Sequence, residues 1–111
     1  MKFIDTHSHL YSSEFDSDRI LIIKEAISNG VSTILLPNIS SKYTKGMLKI
    51  CNEFPKNCFP MMGLHPCDVN KDNIDHELFH VEQELAKGKY IAVGEIGLDL
   101  YWDKTKLEIQ K

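Results

Sequence analysis

Val31-Ser32-Thr33-Ile34-Leu35-Leu36, followed at once by Pro37-Asn38, is the stretch from which the rest of the chain can be read. It is rich in β-branched and aliphatic residues, which reads as a buried strand, and Pro37-Asn38 breaks it. Upstream, residues 17–29 place Ile20, Ile23 and Ile27 on one helical face. Asp16 or Ser17 could cap that helix, and Gly30 stands where a helix C-terminal glycine belongs. Downstream, residues 41–53 form a second helical pattern, with Tyr43, Met47, Ile50 and Phe54 along its inner side.

The alternation continues in both directions. Residues 2–6 (KFIDT) read as a short first strand and are followed by a polar loop through Asp16. Residues 58–63 (CFPMMG) read as a third strand, weakened by Pro60 because proline cannot donate to a sheet ladder. A helix over 74–87 carries Ile74, Leu78, Val81 and Leu85 at helical spacing and stops at Gly88. Residues 90–94 (YIAVG) make a fourth strand, and a further helix begins near 104. A βα period of about 30 residues implies parallel strands joined by helical crossovers. The expected fold class is α/β, with parallel βα units forming the first half of a (β/α)8 TIM-type barrel. A complete barrel of this kind takes about 250 residues. Residues 1–111 are therefore expected to be one incomplete domain, the N-terminal part of something larger.

The composition narrows the class. A chain of 42% hydrophobic and 26% charged residues is ordinary for a soluble globular domain. No apolar run reaches the roughly 18 residues of a membrane span. The formal net charge of -3 argues against broad electrostatic adhesion to nucleic acid, although a bound cation can supply local positive charge for phosphates. Cys51, Cys58 and Cys67 include no C-x-x-C pair, so neither a disulfide framework nor a zinc ribbon is expected. The first residues, Met1-Lys2-Phe3-Ile4-Asp5, reach an acid too soon for a secretion signal, and a reducing cytoplasm is the expected location.

The residues suited to chemistry gather at the strand tips. Asp5, His7 and His9 are spaced by two, so in extended backbone they point the same way. Two imidazoles so placed can converge on one metal, and Asp5 could orient one of them. Glu95 directly follows the fourth strand, beside Gly94 and Gly97, with Asp99 the nearest further acid. His65, in Gly63-Leu64-His65-Pro66, follows the third strand and could serve as ligand, phosphate contact or proton carrier. The bland alternatives are turn histidines and a solvated loop glutamate. His76 and His80 lie on a crossover helix without an H-E-x-x-H frame and read as structural. Tyr11, Tyr101 and Trp102 share these loops and could stack on bases or pack beneath the loops. No phosphate-binding glycine loop or G-x-S-x-G element is present.

Taken together, Asp5-Thr6-His7-Ser8-His9, Gly63-Leu64-His65-Pro66 and Gly94-Glu95-Ile96-Gly97-Leu98-Asp99 resemble the TatD family of metal-dependent deoxyribonucleases, within the amidohydrolase-type barrels. The resemblance covers the whole chain as the N-terminal portion of the family. It implies a barrel with one or two divalent ions (Mg, Mn or Zn) that hydrolyses phosphodiester bonds, often as a 3′-to-5′ exonuclease on DNA. Carried over by position, His7 and His9 would bind the first metal and Glu95 would bridge to a second. His65 would lie near the substrate phosphate with Tyr101, and Asp5 and Asp99 would support the ligands. Later strands of the family supply two more histidines and an aspartate. The expectation is thus a DNA or other phosphodiester substrate, no membrane partner, and activity only in a full-length, monomeric parent. Alternatives are an inactive, self-associating fragment that binds metal weakly, or an amidohydrolase cleaving an amide or ester such as an aminoacyl bond.

Overall fold

A computed structural model describes residues 1–111. Four strands, β1 (Phe3–Asp5), β2 (Val31–Pro37), β3 (Cys58–Met62) and β4 (Ala92–Val93), alternate with helices α1 (Arg19–Ser28), α2 (Ser41–Glu53) and α3 (Ile74–Ala86). A short helix, α4 (Leu107–Gln110), closes the order. The strands pair in parallel in the order β1-β2-β3-β4, as the βα period requires. This is the α/β half-barrel expected from the sequence.

Side-chain alternation divides the sheet into two faces. Ile34 and Leu36 of β2, with Cys58 and Met62 of β3, are buried against Ile23 of α1 and Met47 and Ile50 of α2. Full burial of side chains such as Ile23, Leu36 and Met47 contributes about 1.5–3 kcal/mol each. The alternate residues Leu35, Phe59 and Met61 are only half-buried, so one face of the sheet carries the core. Pro60 fits in mid-strand. Its carbonyl accepts from the Ile91 N–H, and in a parallel strand the missing donor points to the same side, where β4 is only beginning.

Four local expectations need correction. First, α1 starts at Arg19 after Asp18, with no side-chain cap. Asp16 instead binds the Arg19 guanidinium at 2.7 Å, and Ile20 is exposed. Second, the apolar spacing on α3 marks its inner face only in part: Val81 and Leu85 pack against the core, but two acids share that side. Leu78 is 54% exposed while Glu77 and Glu84 are buried, because both carboxylates find partners inside. Glu77 accepts from the Ser41 N–H and hydroxyl, each at 2.8 Å, at the start of α2. Glu84 accepts from the Tyr90 hydroxyl at 2.6 Å and pairs with Lys87. Third, β1 covers only Phe3–Asp5 rather than 2–6, and Phe3 and Ile4 are exposed, since β1 is an edge of the sheet. Fourth, β4 is limited to two residues, both exposed. No helix is long and apolar enough to cross a membrane.

Candidate metal centre

The candidate ligands collect at the C-terminal ends of the strands. Beyond β1 the Ser8 N–H still donates to Leu35 O of β2 at 3.0 Å. The bond anchors the segment beside β2, and His7 and His9 come to the same side. Their Nε2 atoms are 3.1 Å apart. Asp5 holds the backbone here rather than a ring, accepting from the His7 N–H at 3.0 Å. That differs from its expected contact with an imidazole, because its carboxylate closes the turn two residues on.

Glu95 arrives from the far edge of the sheet. Its N–H donates to Asn38 O at 3.0 Å, while Asn38 N donates to both Met61 O and Gly94 O at 3.1 Å. The buried Asn38 side chain adds bonds to Ser40 O and Gly63 O. This ties the tips of β2, β3 and β4 together. Gly63 permits the approach, since a Cβ there would lie 2.5 Å from the Gly94 carbonyl carbon and 2.6 Å from Glu95 O. At Gly94 a Cβ would meet Met61 Cε at 2.6 Å, the end of a flexible side chain that can turn aside, whereas Gly97 supplies the sharp turn with φ +140.

Three atoms then converge. Glu95 Oε2 lies 3.1 Å from His7 Nε2 and 3.2 Å from His9 Nε2. The contacts are at ion-pair distance, yet Oε2 is buried without a hydrogen-bond partner. Three atoms separated in this way have a centre about 1.8 Å from each, near the roughly 2.0–2.2 Å that imidazole and carboxylate keep from zinc. An orphaned buried carboxylate oxygen beside two imidazole nitrogens fits a divalent cation: His7, His9 and Glu95 could hold one. Burial holds the His9 imidazole below its ordinary range against the opposing pull of Glu95, with His7 and His65 adding to the lowering. His9 is therefore neutral near pH 7, the form a metal ligand needs.

His65 approaches the other carboxylate oxygen. Its Nδ1 accepts from the Cys67 N–H at 3.0 Å, so in the neutral ring the proton sits on Nε2. That Nε2 lies 3.2 Å from Glu95 Oε1. Glu95 thus turns Oε2 to the paired imidazoles and Oε1 to His65. Asp99 stands apart from this cluster. Its Oδ1 accepts from the Tyr101 N–H at 2.9 Å, and that bond, with the Cys67 thiol, holds its carboxyl below the usual range.

Gln110 of α4 braces the surrounding loops. Its Nε2 donates to Pro66 O and Asp99 O, each at 3.0 Å, and its Oε1 accepts from the Asp99 N–H. Tyr101 and Trp102 are 79% and 81% exposed and meet edge to face at 4.7 Å. Tyr11, grouped with them in the sequence, is buried instead. Its hydroxyl lies 2.7 Å from His9 Nδ1, a contact with no sequence signal beyond the i, i+2 spacing. His80 is structural, 2.8 Å from the Thr44 hydroxyl. Cys51 and Cys58 are buried, whereas Cys67 is only partly so.

Comparison with known proteins follows the same outline. The chain is 32% identical over 112 residues to "Uncharacterized metal-dependent hydrolase YjjV" of Escherichia coli, covering 99% of this chain and 42% of that protein. Against the crystal structure of YjjV, a TatD homolog, the TM-score is 0.83 at 31% identity, covering 97% of this chain and 42% of that one. It is 30% identical over 107 residues to "Uncharacterized metal-dependent hydrolase YabD" of Bacillus subtilis, covering 96% of this chain and 41% of the relative. It is also 30% identical over 91 residues to "3'-5' ssDNA/RNA exonuclease TatD" of a Rahnella species, covering 82% and 34%. The chain thus spans about two fifths or less of the length of these relatives. The model of the family described as "TatD related DNase" matches residues 4–111, and the chain belongs to that family.

Proposed function

We propose that residues 1–111 carry the first part of a metal-dependent phosphodiesterase site, acting on single-stranded nucleic acid from its 3′ end within a protein of the relatives' length. The observation that carries this reading is the buried, unpartnered Glu95 Oε2 between the Nε2 atoms of His7 and His9. In the proposal, these three side chains hold one divalent cation. Two nitrogens and one oxygen suit zinc or manganese, whereas magnesium favours an all-oxygen set. A cation held there supplies a lowered water pKa and stabilisation of charge on a phosphoryl oxygen.

The chain's own groups define the rest. Glu95 presents Oε2 to the paired imidazoles and Oε1 to the His65 side. His65, with its proton on Nε2, is a hydrogen-bond donor there and suits an anionic phosphate oxygen. Asp99 fixes the Tyr101 backbone, and the exposed Tyr101 and Trp102 rings offer stacking surfaces for bases. A bridging role for Glu95 would need Oε1 to serve a second cation. His65 lies beside that oxygen and faces it with a proton. Residues 1–111 alone are accordingly proposed to bind one ion and to turn over little or nothing.

Two measurements test this. Calorimetric titration of the 111-residue chain with Mn²⁺ or Zn²⁺ should show one site, weakened at least tenfold by His9→Ala. Equal affinity in the variant refutes the ligand set. Release of nucleotides from 3′-labelled single-stranded DNA, compared with hydrolysis of an aminoacyl ester, by the protein at the length of its relatives reads the substrate class. Ester cleavage without DNA cleavage refutes the nuclease reading.

A further inference from the structure

His9 has two ring nitrogens, and only a bare Nε2 can receive a cation at the site described above. What decides where its proton sits is visible in the structure. Tyr11, two residues on, buries its ring with 7% exposure, and its hydroxyl makes two contacts. One is a short contact to the Pro37 carbonyl, and the other is His9 Nδ1 at 2.7 Å. A carbonyl oxygen carries no proton, so a short approach of two oxygens requires the phenol to donate to Pro37. A phenol has one proton to give. Toward His9 its oxygen is then only an acceptor, and His9 Nδ1 must be the donor. In a neutral imidazole this leaves Nε2 with its lone pair.

His9 Nε2 faces the other two corners of the proposed cation site, His7 Nε2 at 3.1 Å and Glu95 Oε2 at 3.2 Å, so with the proton on Nδ1 its lone pair points into that triangle. No carboxylate competes for His9 Nδ1, because Asp5, the nearest in sequence, is engaged by the His7 N–H.

Tyr11 is also held firmly enough to impose this choice. Its ring packs 5.6 Å from that of Tyr43 on α2. Its flanking backbone is gripped by Arg19, which donates to Leu10 O at 2.6 Å and to Ser12 O at 2.9 Å. Ligating histidines are ordinarily oriented through the ring nitrogen that does not bind the metal. Here that orienting group is a phenol fixed from both sides.

We propose that Tyr11 is a positioning residue for the metal centre, holding the His9 proton on Nδ1 so that Nε2 faces Glu95 Oε2 with its lone pair. The inference rests on the reading of His9 as a ligand, and its test separates the two. Long-range ¹⁵N–¹H correlation spectra of the metal-free 111-residue chain report the tautomer of each histidine directly. His9 should be in the Nδ1–H form, and an Nε2–H form overturns the proposal without any variant being made. Tyr11→Phe keeps the ring and removes the acceptor. It should move His9 toward a mixture of tautomers and weaken Zn²⁺ binding by about ten- to a hundredfold. An unchanged His9 tautomer, or unchanged Zn²⁺ affinity, in a folded Tyr11→Phe chain overturns the proposal. Should that variant not fold, the parent spectrum alone decides between the two forms. Failure of the underlying reading has a different signature: His9→Ala would bind Zn²⁺ as tightly as the parent while His9 in the parent still showed its Nδ1 proton.

Discussion

Replacing Gly63 by alanine would move Glu95 through its main chain, without altering any candidate ligating side chain. The added Cβ would lie 2.5 Å from the Gly94 carbonyl carbon, 2.6 Å from Glu95 O and 2.7 Å from Glu95 N. Non-bonded carbons settle near 3.5–4.0 Å, so the two backbone segments must part by about 1 Å. The obstruction is main chain on both sides, and no side chain can rotate to relieve it. Overpacking of this kind costs about 1–3 kcal/mol. The displacement also far exceeds the roughly 0.2 Å within which metal–ligand distances hold. Glu95 Oε2 would leave the triangle it forms with His7 and His9, and divalent metal binding should weaken by about ten- to a hundredfold or more. Urea denaturation reads the first effect and calorimetric Zn²⁺ titration the second. Gly46→Ala is the control. Its Cβ would meet only Tyr11 Cβ at an ordinary 3.7 Å, and helix propensity favours alanine there by about 1 kcal/mol. If Gly63→Ala bound Zn²⁺ with parental affinity and stability, the close approach of β3 to β4 would not be what places Glu95.

Two other outcomes are expected. Burial alone would raise the Glu84 carboxyl, but the Lys87 ammonium, the Tyr90 hydroxyl and Lys89 outweigh it and hold it below its ordinary range. A lowered folded-state pKa gives stability that is present above the unfolded value of about 4.3 and is lost as pH falls through the folded value. Glu84→Gln should therefore cost about 1–3 kcal/mol at pH 7, with the gap to the parent closing on acidification below pH 5, as followed by urea denaturation. A gap independent of pH would contradict this. Separately, Phe3 and Ile4 on β1 and Val93 on β4 are exposed at the two edges of the sheet, and unpaired edges invite pairing. The 111-residue chain should self-associate at micromolar concentration in sedimentation velocity, and Ile4→Lys should shift it toward monomer. A parent chain that stays monomeric refutes the argument.

Much of the architecture was readable because its signals are local. The helix over 41–53 and the strand beginning at Val31 stand where hydrophobic period and turn residues place them. The face of α3 was not readable in the same way. Its apolar spacing does bring Val81 and Leu85 to the core, but the burial of Glu77 and Glu84 and the exposure of Leu78 depend on partners outside the helix, Ser41 for Glu77 and Tyr90 for Glu84. The exposure of Phe3 and Val93 likewise depends on what lies beside an edge, which no window of sequence contains. At the site, strand parity and position suffice to bring His7, His9 and Glu95 together. They do not reveal Tyr11, whose role needs the Pro37 carbonyl 26 residues away. Nor do they reveal Gly63, whose demand for a bare Cα comes from a backbone more than 30 positions later.

The Gln110 carboxamide has a wider consequence than its size suggests. One planar group answers both Asp99 main-chain polar atoms and the Pro66 carbonyl. The loop bearing His65 and the loop bearing Asp99 and Tyr101 are thereby fastened to a common crosspiece. In the proposed site, the phosphate donor and the base platform would therefore keep a fixed gauge between them, like rails on one sleeper. The distance over which a bound strand would be measured would then be set in α4, by a residue outside the His7, His9 and Glu95 cluster.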